Sequence, residues 1–372
     1  MNCSSPLRRI LSFSQSYAAG YHTLRRSLVL TRHAAPPLPL QQRSHYARNR
    51  PRSGRGSTPR KIKDINNRSQ PQRRYGSSTT TAPIQLSKGE IECTISAVPA
   101  VPGSLSEGTH ATITIRNAAR LNSLNSSLIS QLTSTLRSLA SLEQHPDLRV
   151  AIIKGEHPPN SPKTPAFTSG ADIYEMSSLS SASSAREFIS RLSQLCDAFR
   201  TLPCLTLAQI HGLCMGGGLE LAACADFRYA TAGSSFSMPE TKYGIPSVIH
   251  ARLLPNLVGW QRAREMVYLA KVYGAEEMRE WGLVDVMCAD EARLEDEVKG
   301  FVERVARHGV KTMRVQKELV RVWEERDLRA GVDAGVESFA RMFEDGAHEP
   351  RRFMREFTER RREKAKGAQR GN

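Results

Sequence analysis

The sequence predicts an α/β core followed by a helical C-terminal region. Two observations carry this prediction. Short β-branched runs at 111–115, 148–153 and 204–210 alternate with stretches of helical spacing, and from about residue 250 the pattern is almost wholly helical. No internal repeat is present, and 372 residues suffice for one large or two ordinary domains with a proper core.

The elements follow in order. Ala111-Thr-Ile-Thr-Ile115 alternates and is β-branched, the pattern of a strand. Leu121, Leu124, Leu128, Leu132 and Leu136 recur at helical spacing. Leu148–Ile153 predicts a second strand ending before Gly155, and prolines 158, 159, 162 and 165 mark a loop. Residues 185–201 predict a helix stopped by Pro203, and Cys204–Ile210 a third strand. A last helix is expected over about 349–366.

The formal net charge of +16 is unevenly placed. Residues 1–90 hold 17 Lys/Arg against Asp64 and Glu90, and residues 351–372 hold 9 against 3 Glu, leaving the stretch between at −5. A nucleic-acid footprint belongs on a folded face, and most of this charge is terminal. The first 63 residues contain no acid and interleave Arg8, Arg9, Arg25, Arg26 and Arg32 with serines and small apolar groups. That is the composition of a mitochondrial transit peptide, expected over 1–40 and implying the matrix; an ordinary basic arm is the alternative. Residues 41–90, rich in Arg, Ser, Pro and Gln, are expected to be a disordered basic linker. The basic C-terminal helix reads as a solvated face, with RNA or anionic lipid as the alternative.

The seven cysteines (Cys3, Cys93, Cys196, Cys204, Cys214, Cys224, Cys288) are odd in number and include no C-x-x-C pair, so neither a disulfide framework nor a metal site is expected. Most sit in apolar runs, as small buried hydrophobes do. No apolar run approaches the roughly 20 residues needed to span a bilayer.

Two segments carry chemistry. In Ala166–Met176, Ser169-Gly170-Ala171-Asp172 falls where a helix begins, and small residues there let a ligand approach unpaired backbone N–H groups. In His211–Asp226, a strand runs into Gly216-Gly217-Gly218 and then a helix, and three glycines at that junction cost backbone entropy. One N–H from each segment, converging on a carbonyl, would make an oxyanion hole. Taken singly, the glycines could be a packing turn, Glu220 a first-turn helix acid and Glu240 a surface charge.

Together these pieces resemble the crotonase (enoyl-CoA hydratase/isomerase) family. The order is Phe-x-x-Gly-Ala-Asp-Ile-x-Glu-Met from Phe167, Gly-x-x-x-Gly-Gly-Gly-x-Glu-Leu from Gly212, Phe-x-x-Pro-Glu from Phe236 and Trp-Gly-Leu-Val from Trp281. A looser match reaches back to Arg120-Leu-Asn-Ser-Leu-Asn125. The resemblance implies a spiral of β-β-α turns over 91–290, a helical region over 291–366 used in trimerisation, a tail over 367–372, and a homotrimer or hexamer. It implies oxyanion-hole N–H groups at Ala171 and Gly217, catalytic carboxylates at Glu220 and Glu240, and an acyl-CoA held by Thr168, Ser169, Gly170, Asp172 and Gly216, largely through backbone. Coenzyme A is then part of the substrate, and no separate cofactor or metal is implied.

Of the pair, Glu220 is expected to serve the water and Glu240 the α-proton of a 2-enoyl-CoA. An enoyl-CoA isomerase is the alternative, and an RNA-binding relative is the alternative of another class. Two departures stand out. Ser247-Val-Ile-His250 replaces the family's glycine-rich stretch and predicts a bulkier, more apolar wall, hence a short, branched or otherwise unusual acyl group. Tyr174 stands where Lys is frequent, and His250 reads as structural rather than catalytic.

Overall fold

The computed structural model describes residues 84–87, 90–98, 108–158, 161 and 163–370. The expected transit peptide and nearly all of the expected linker lie outside these residues. In chain order the elements are β1 (Ile84–Ser87), β2 (Ile91–Ala97), β3 (Thr109–Ile115), α1 (Ser126–Leu139), β4 (Leu148–Gly155), β5 (Ala166–Thr168), α2 (Ile173–Ser177), α3 (Ala182–Arg200), β6 (Leu205–Ile210), β7 (Leu213–Met215), α4 (Gly217–Ala223), β8 (Phe227–Thr231), β9 (Ser235–Ser237), α5 (Leu254–Val258), α6 (Trp260–Leu269), β10 (Tyr273–Gly274), α7 (Ala275–Glu280), β11 (Val286–Cys288), α8 (Glu291–Ala306), α9 (Val310–Glu325), α10 (Leu328–Arg341) and α11 (His348–Arg370).

Two sheets organise the core. The larger runs β1-β2-β3-β4-β6-β8-β11, antiparallel up to β3 and parallel thereafter; the smaller runs β10-β9-β7-β5. Each of the pairs β4/β5, β6/β7 and β8/β9 places its first strand in the larger sheet and its second in the smaller, and helices follow. Three β-β-α turns therefore wind along the chain, the fold the motifs implied. Parallel strands covered on both faces should be apolar throughout rather than alternating. β4 is accordingly buried at nearly every position: Val150 and Ile152 pack with Val298 and Val302 of α8, while Ala151 and Ile153 join the core that includes α1 and α3.

Several elements differ from expectation. The helix expected from Leu121 begins at Ser126, because Leu121 and Asn122 both adopt φ +55° and Asn125 caps α1 by accepting the Leu128 N–H at 2.8 Å. β1 falls inside the expected linker, where Ile84 already pairs with Ile95 of β2. The chain beyond 250 also contains β10 and β11, each supported by pairing to a distant strand. α11 continues past 366 into the expected tail.

Candidate active site

The first wall of the site is the turn after β5. The Thr168 hydroxyl is buried and accepts the Gly170 N–H at 3.0 Å, closing a tight turn. Gly170 has φ +90°, and a Cβ there would stand 2.6 Å from the Met215 carbonyl oxygen, so only glycine fits. The Gly170 carbonyl accepts the Leu124 N–H at 2.8 Å, and the Leu124 carbonyl accepts the Asp172 N–H at 3.0 Å. That bridge uses the residues on either side of Ala171 and leaves the Ala171 N–H directed away from it.

The second wall is the turn after β7. Gly216 takes φ +52° and ψ −125°, and α4 starts at Gly217, whose N–H has no acceptor inside its own helix. A Cβ on Gly217 would lie 3.6 Å from the Ala171 nitrogen, so the two N–H groups belong to one small region. Neither has an acceptor among the described residues. Two convergent, unpaired backbone donors can hold an oxygen that gains negative charge.

The carboxylates lie against the same turn. Glu220, 2 % exposed, sits one turn into α4 and accepts the Ala251 N–H on Oε1 at 3.1 Å. Burial above all, and then the charge of Glu240, push its carboxyl up to about 9, although N–H groups of Ala251 and Val248 act against the rise. Glu240 opens a 3-10 turn over Glu240–Tyr243, and the Ser247 hydroxyl donates to its Oε2 at 3.0 Å. Burial raises the Glu240 carboxyl as well. A Cβ on Gly216 would come within 2.8 Å of Glu240 Oε1, so this carboxylate rests on the backbone that leads into Gly217. Two interacting carboxyls, both raised, are suited to share a proton near neutral pH.

The sequence profile of the family "Enoyl-CoA hydratase/isomerase" matches residues 106–368. The chain belongs to the enoyl-CoA hydratase/isomerase family. It is 29 % identical over 234 residues to the crotonyl-CoA hydratase of Syntrophomonas wolfei, covering 63 % of this chain and 86 % of that protein. It is 33 % identical over 171 residues to human mitochondrial methylglutaconyl-CoA hydratase, covering 46 % and 48 %. Its structure superposes on the crystal structure of the Bacillus anthracis enoyl-CoA hydratase with a TM-score of 0.60 and 25 % identity, covering 70 % of this chain and 96 % of that one.

Within this crotonase, some expected ligand residues are committed to building the turn. Asp172 is buried and caps α2, accepting the Glu175 N–H at 3.0 Å and the Ser123 hydroxyl at 3.0 Å, with Arg120 at 3.5 Å. Burial alone would raise its carboxyl, but these hydrogen bonds and the Arg120 charge outweigh it and hold the group low. The Ser169 N–H donates to the Leu121 carbonyl at 2.9 Å. The Thr168 and Asp172 side chains are thus engaged within the protein.

Two contributors, Asn122 and Arg228, had no role assigned from the sequence. Asn122, fully buried, donates to the Ala166 carbonyl at 2.7 Å and so anchors β5. Its left-handed backbone is one that Asn tolerates, which was the available signal. Arg228 donates to the Ala225 carbonyl at 2.6 Å and the Ala222 carbonyl at 3.5 Å, placing a cation at the C-terminal end of α4. The 247–250 segment meets the carboxylates with polar groups, the Ser247 hydroxyl and the Val248 N–H, while Ile249 supplies bulk by packing on the core. His250 instead hydrogen-bonds Asp197 of α3 at 3.1 Å. Arg120 stands over the exposed Tyr174 ring, 5.7 Å from its centroid.

Proposed function

We propose that the protein is an enoyl-CoA hydratase that adds water across a short or branched 2-enoyl-CoA. The observation that carries this reading is the pairing of buried Glu220 with half-buried Glu240, set against a turn whose Gly217 N–H neighbours that of Ala171. Hydration and dehydration need two proton-transfer groups at adjacent carbons, whereas a double-bond shift needs a single shuttle. The thioester oxygen would lie between the Ala171 and Gly217 N–H groups, each donor stabilising the enolate-like transition state by about 3–4 kcal/mol. Glu220 takes the proton of the water that attacks Cβ, and Glu240 delivers a proton to Cα.

One proton is exchanged between the two carboxyls as the reaction runs. With its carboxyl near 9, Glu220 holds the pair's proton at neutral pH. In dehydration Glu240 removes the α-proton and Glu220 protonates the departing hydroxyl. Hydration then draws on the other arrangement, with the proton on Glu240, and each direction regenerates the starting state of the reverse one. The short and branched acyl groups in the names of the bacterial and human relatives support a short or branched acyl group here, whereas Ile249 packs on the core and adds no apolar wall beside the carboxylates.

Self-association is part of the same reading. α9 and α10 expose Trp323, Leu328, Val332, Val336 and Phe339, an apolar stripe suited to a trimer or hexamer. The acid-free, arginine-bearing N-terminus supports a mitochondrial matrix address. The deciding experiment assays the full chain against short, branched and long 2-enoyl-CoAs, following loss of the conjugated thioester absorbance. Glu220→Gln and Glu240→Gln should each lower turnover by about 10²- to 10⁴-fold. Turnover of a 3-enoyl-CoA to its 2-isomer that survives Glu220→Gln, without any hydration, would establish the isomerase instead.

A further inference from the structure

Beside Glu220, three side chains meet that hydration does not use. Cys196 comes from α3, Cys224 from the C-terminal end of α4 and His250 from the 3-10 turn over Ile249–Leu253. The two sulfurs and a ring nitrogen of His250 all lie within 4.8 Å of one another. Cys196 is fully buried and Cys224 is 3 % exposed. The His250 Nε2 is engaged by the Asp197 carboxylate at 3.1 Å, while its Nδ1 is buried and has no hydrogen-bond partner among the described residues. Two buried thiols are ordinary packing, but an orphaned imidazole nitrogen facing inward calls for a partner.

The geometry points to a zinc(II) site made by Cys196 Sγ, Cys224 Sγ and His250 Nδ1, with Asp197 as the carboxylate that orients the imidazole. A ligating histidine characteristically donates its other ring N–H to a carboxylate, and this pair is already formed. Bond lengths of about 2.3 Å to sulfur and 2.0–2.1 Å to nitrogen require the donors to approach within roughly 4 Å of one another, a movement of an ångström or less. Binding displaces one proton from each thiol. Two thiolates, a neutral imidazole and Zn²⁺ then carry no net charge, whereas Cu⁺ in the same donor set would leave an uncompensated negative charge buried near Glu220. Three protein donors leave the fourth tetrahedral position for a water molecule. Cys224 also lines a cavity of about 260 Å³ shared with Asp226, Leu257 and Lys317, which supplies a route inward. The bound ion would tie α3, α4 and the 249–253 turn together around Glu220, whose carboxylate already receives the Ala251 N–H of that turn.

The test uses the full chain, stripped with chelator under reducing conditions and titrated with Zn²⁺, and with Co²⁺ as a spectroscopic probe. One ion per chain is expected, with a thiolate-to-cobalt charge-transfer band, tetrahedral d–d intensity and release of two protons per Zn²⁺. Cys196→Ser and Cys224→Ser should abolish the band, and Cys288→Ser, outside the cluster, should keep it. Asp197→Asn alters a carboxylate that is 61 % exposed, so it spares the core, and it should weaken binding about 10- to 100-fold. A cobalt spectrum without thiolate charge transfer, or a stoichiometry and affinity unchanged by Asp197→Asn or Cys196→Ser, would overturn the site.

Discussion

The Ala251 N–H donates to Glu220 Oε1 at 3.1 Å, so a catalytic candidate on α4 is held by the backbone of a turn 31 residues further along the chain. This contact favours the ionised carboxylate, yet burial and Glu240 outweigh it and keep the group protonated to about pH 9. The site stores a carboxyl that folding makes harder to ionise.

That imbalance predicts a pH-dependent stability. The native carboxyl, near 9, lies above its reference value of 4.5, so the native state binds the proton more tightly than the unfolded chain. The resulting stability is full below about pH 4.5 and is lost as pH rises towards 9. Glu220→Gln removes the ionisation, so its melting temperature should exceed that of the wild type at pH 8 and the gap should narrow towards pH 5. Each kcal/mol should read as about 2–4 °C. Equal pH dependence in the two proteins would show that Glu220 ionises normally.

Ser247→Ala should move the pH–rate profile without unfolding the protein. The Ser247 hydroxyl favours the Glu240 carboxylate, and its loss should raise that carboxyl further. Followed in the dehydration direction, where Glu240 acts as the base, the acid limb of kcat/KM should therefore shift to higher pH, with kcat at its plateau falling less than about tenfold, as for one neutral hydrogen bond. An unmoved limb would remove Ser247 from the pair's electrostatics.

Gly170→Ala should damage fold and site together. The new Cβ would meet the Met215 carbonyl at 2.6 Å in a backbone conformation that side-chain-bearing residues avoid. Strain of about 1–3 kcal/mol is expected, with loss of turnover even where the chain stays folded. Gly244→Ala, also at positive φ but with open space around its Cβ, separates the backbone effect from the clash. Similar turnover in the two variants would place the oxyanion site elsewhere.

Lys317→Met should loosen α9. The buried Lys317 ammonium donates to the Cys204 carbonyl at 2.8 Å and pairs with Asp226 at 2.8 Å. Its removal should cost about 3 kcal/mol, the low end for breaking a buried pair, because Asp226 is 25 % exposed and keeps its Thr206 hydrogen bonds. Denaturant titration reads this directly; a change under 1 kcal/mol would mean that apolar packing alone holds the helix.

Much of the site was legible because its chemistry is local. The Gly170-Ala171-Asp172 turn and the Gly216–Glu220 junction are contiguous, since a left-handed glycine, a helix start and an acid one turn later require fixed short spacings. The covered strand β4 was legible for a similar reason: a strand buried on both faces must be apolar at nearly every position. β2 was passed over although Ile91, Cys93 and Ile95 alternate inward, because its three polar partners resemble a loop until it pairs with β3.

What the sequence by itself determined is the family, through its short ordered motifs, and the two glycine-bearing turns that free two N–H groups, because each depends on residues within a few positions of one another; the count and pairing of the β-β-α turns came from the structure. Only the tertiary structure decided the surroundings of the carboxylates and of the thiols. Glu220 is governed by Ala251, Val248 and Glu240, and His250 faces Cys196 and Cys224 rather than the carboxylate pair. Those neighbours come from different turns of the spiral, and burial and charge act through space, where distance along the chain carries no information.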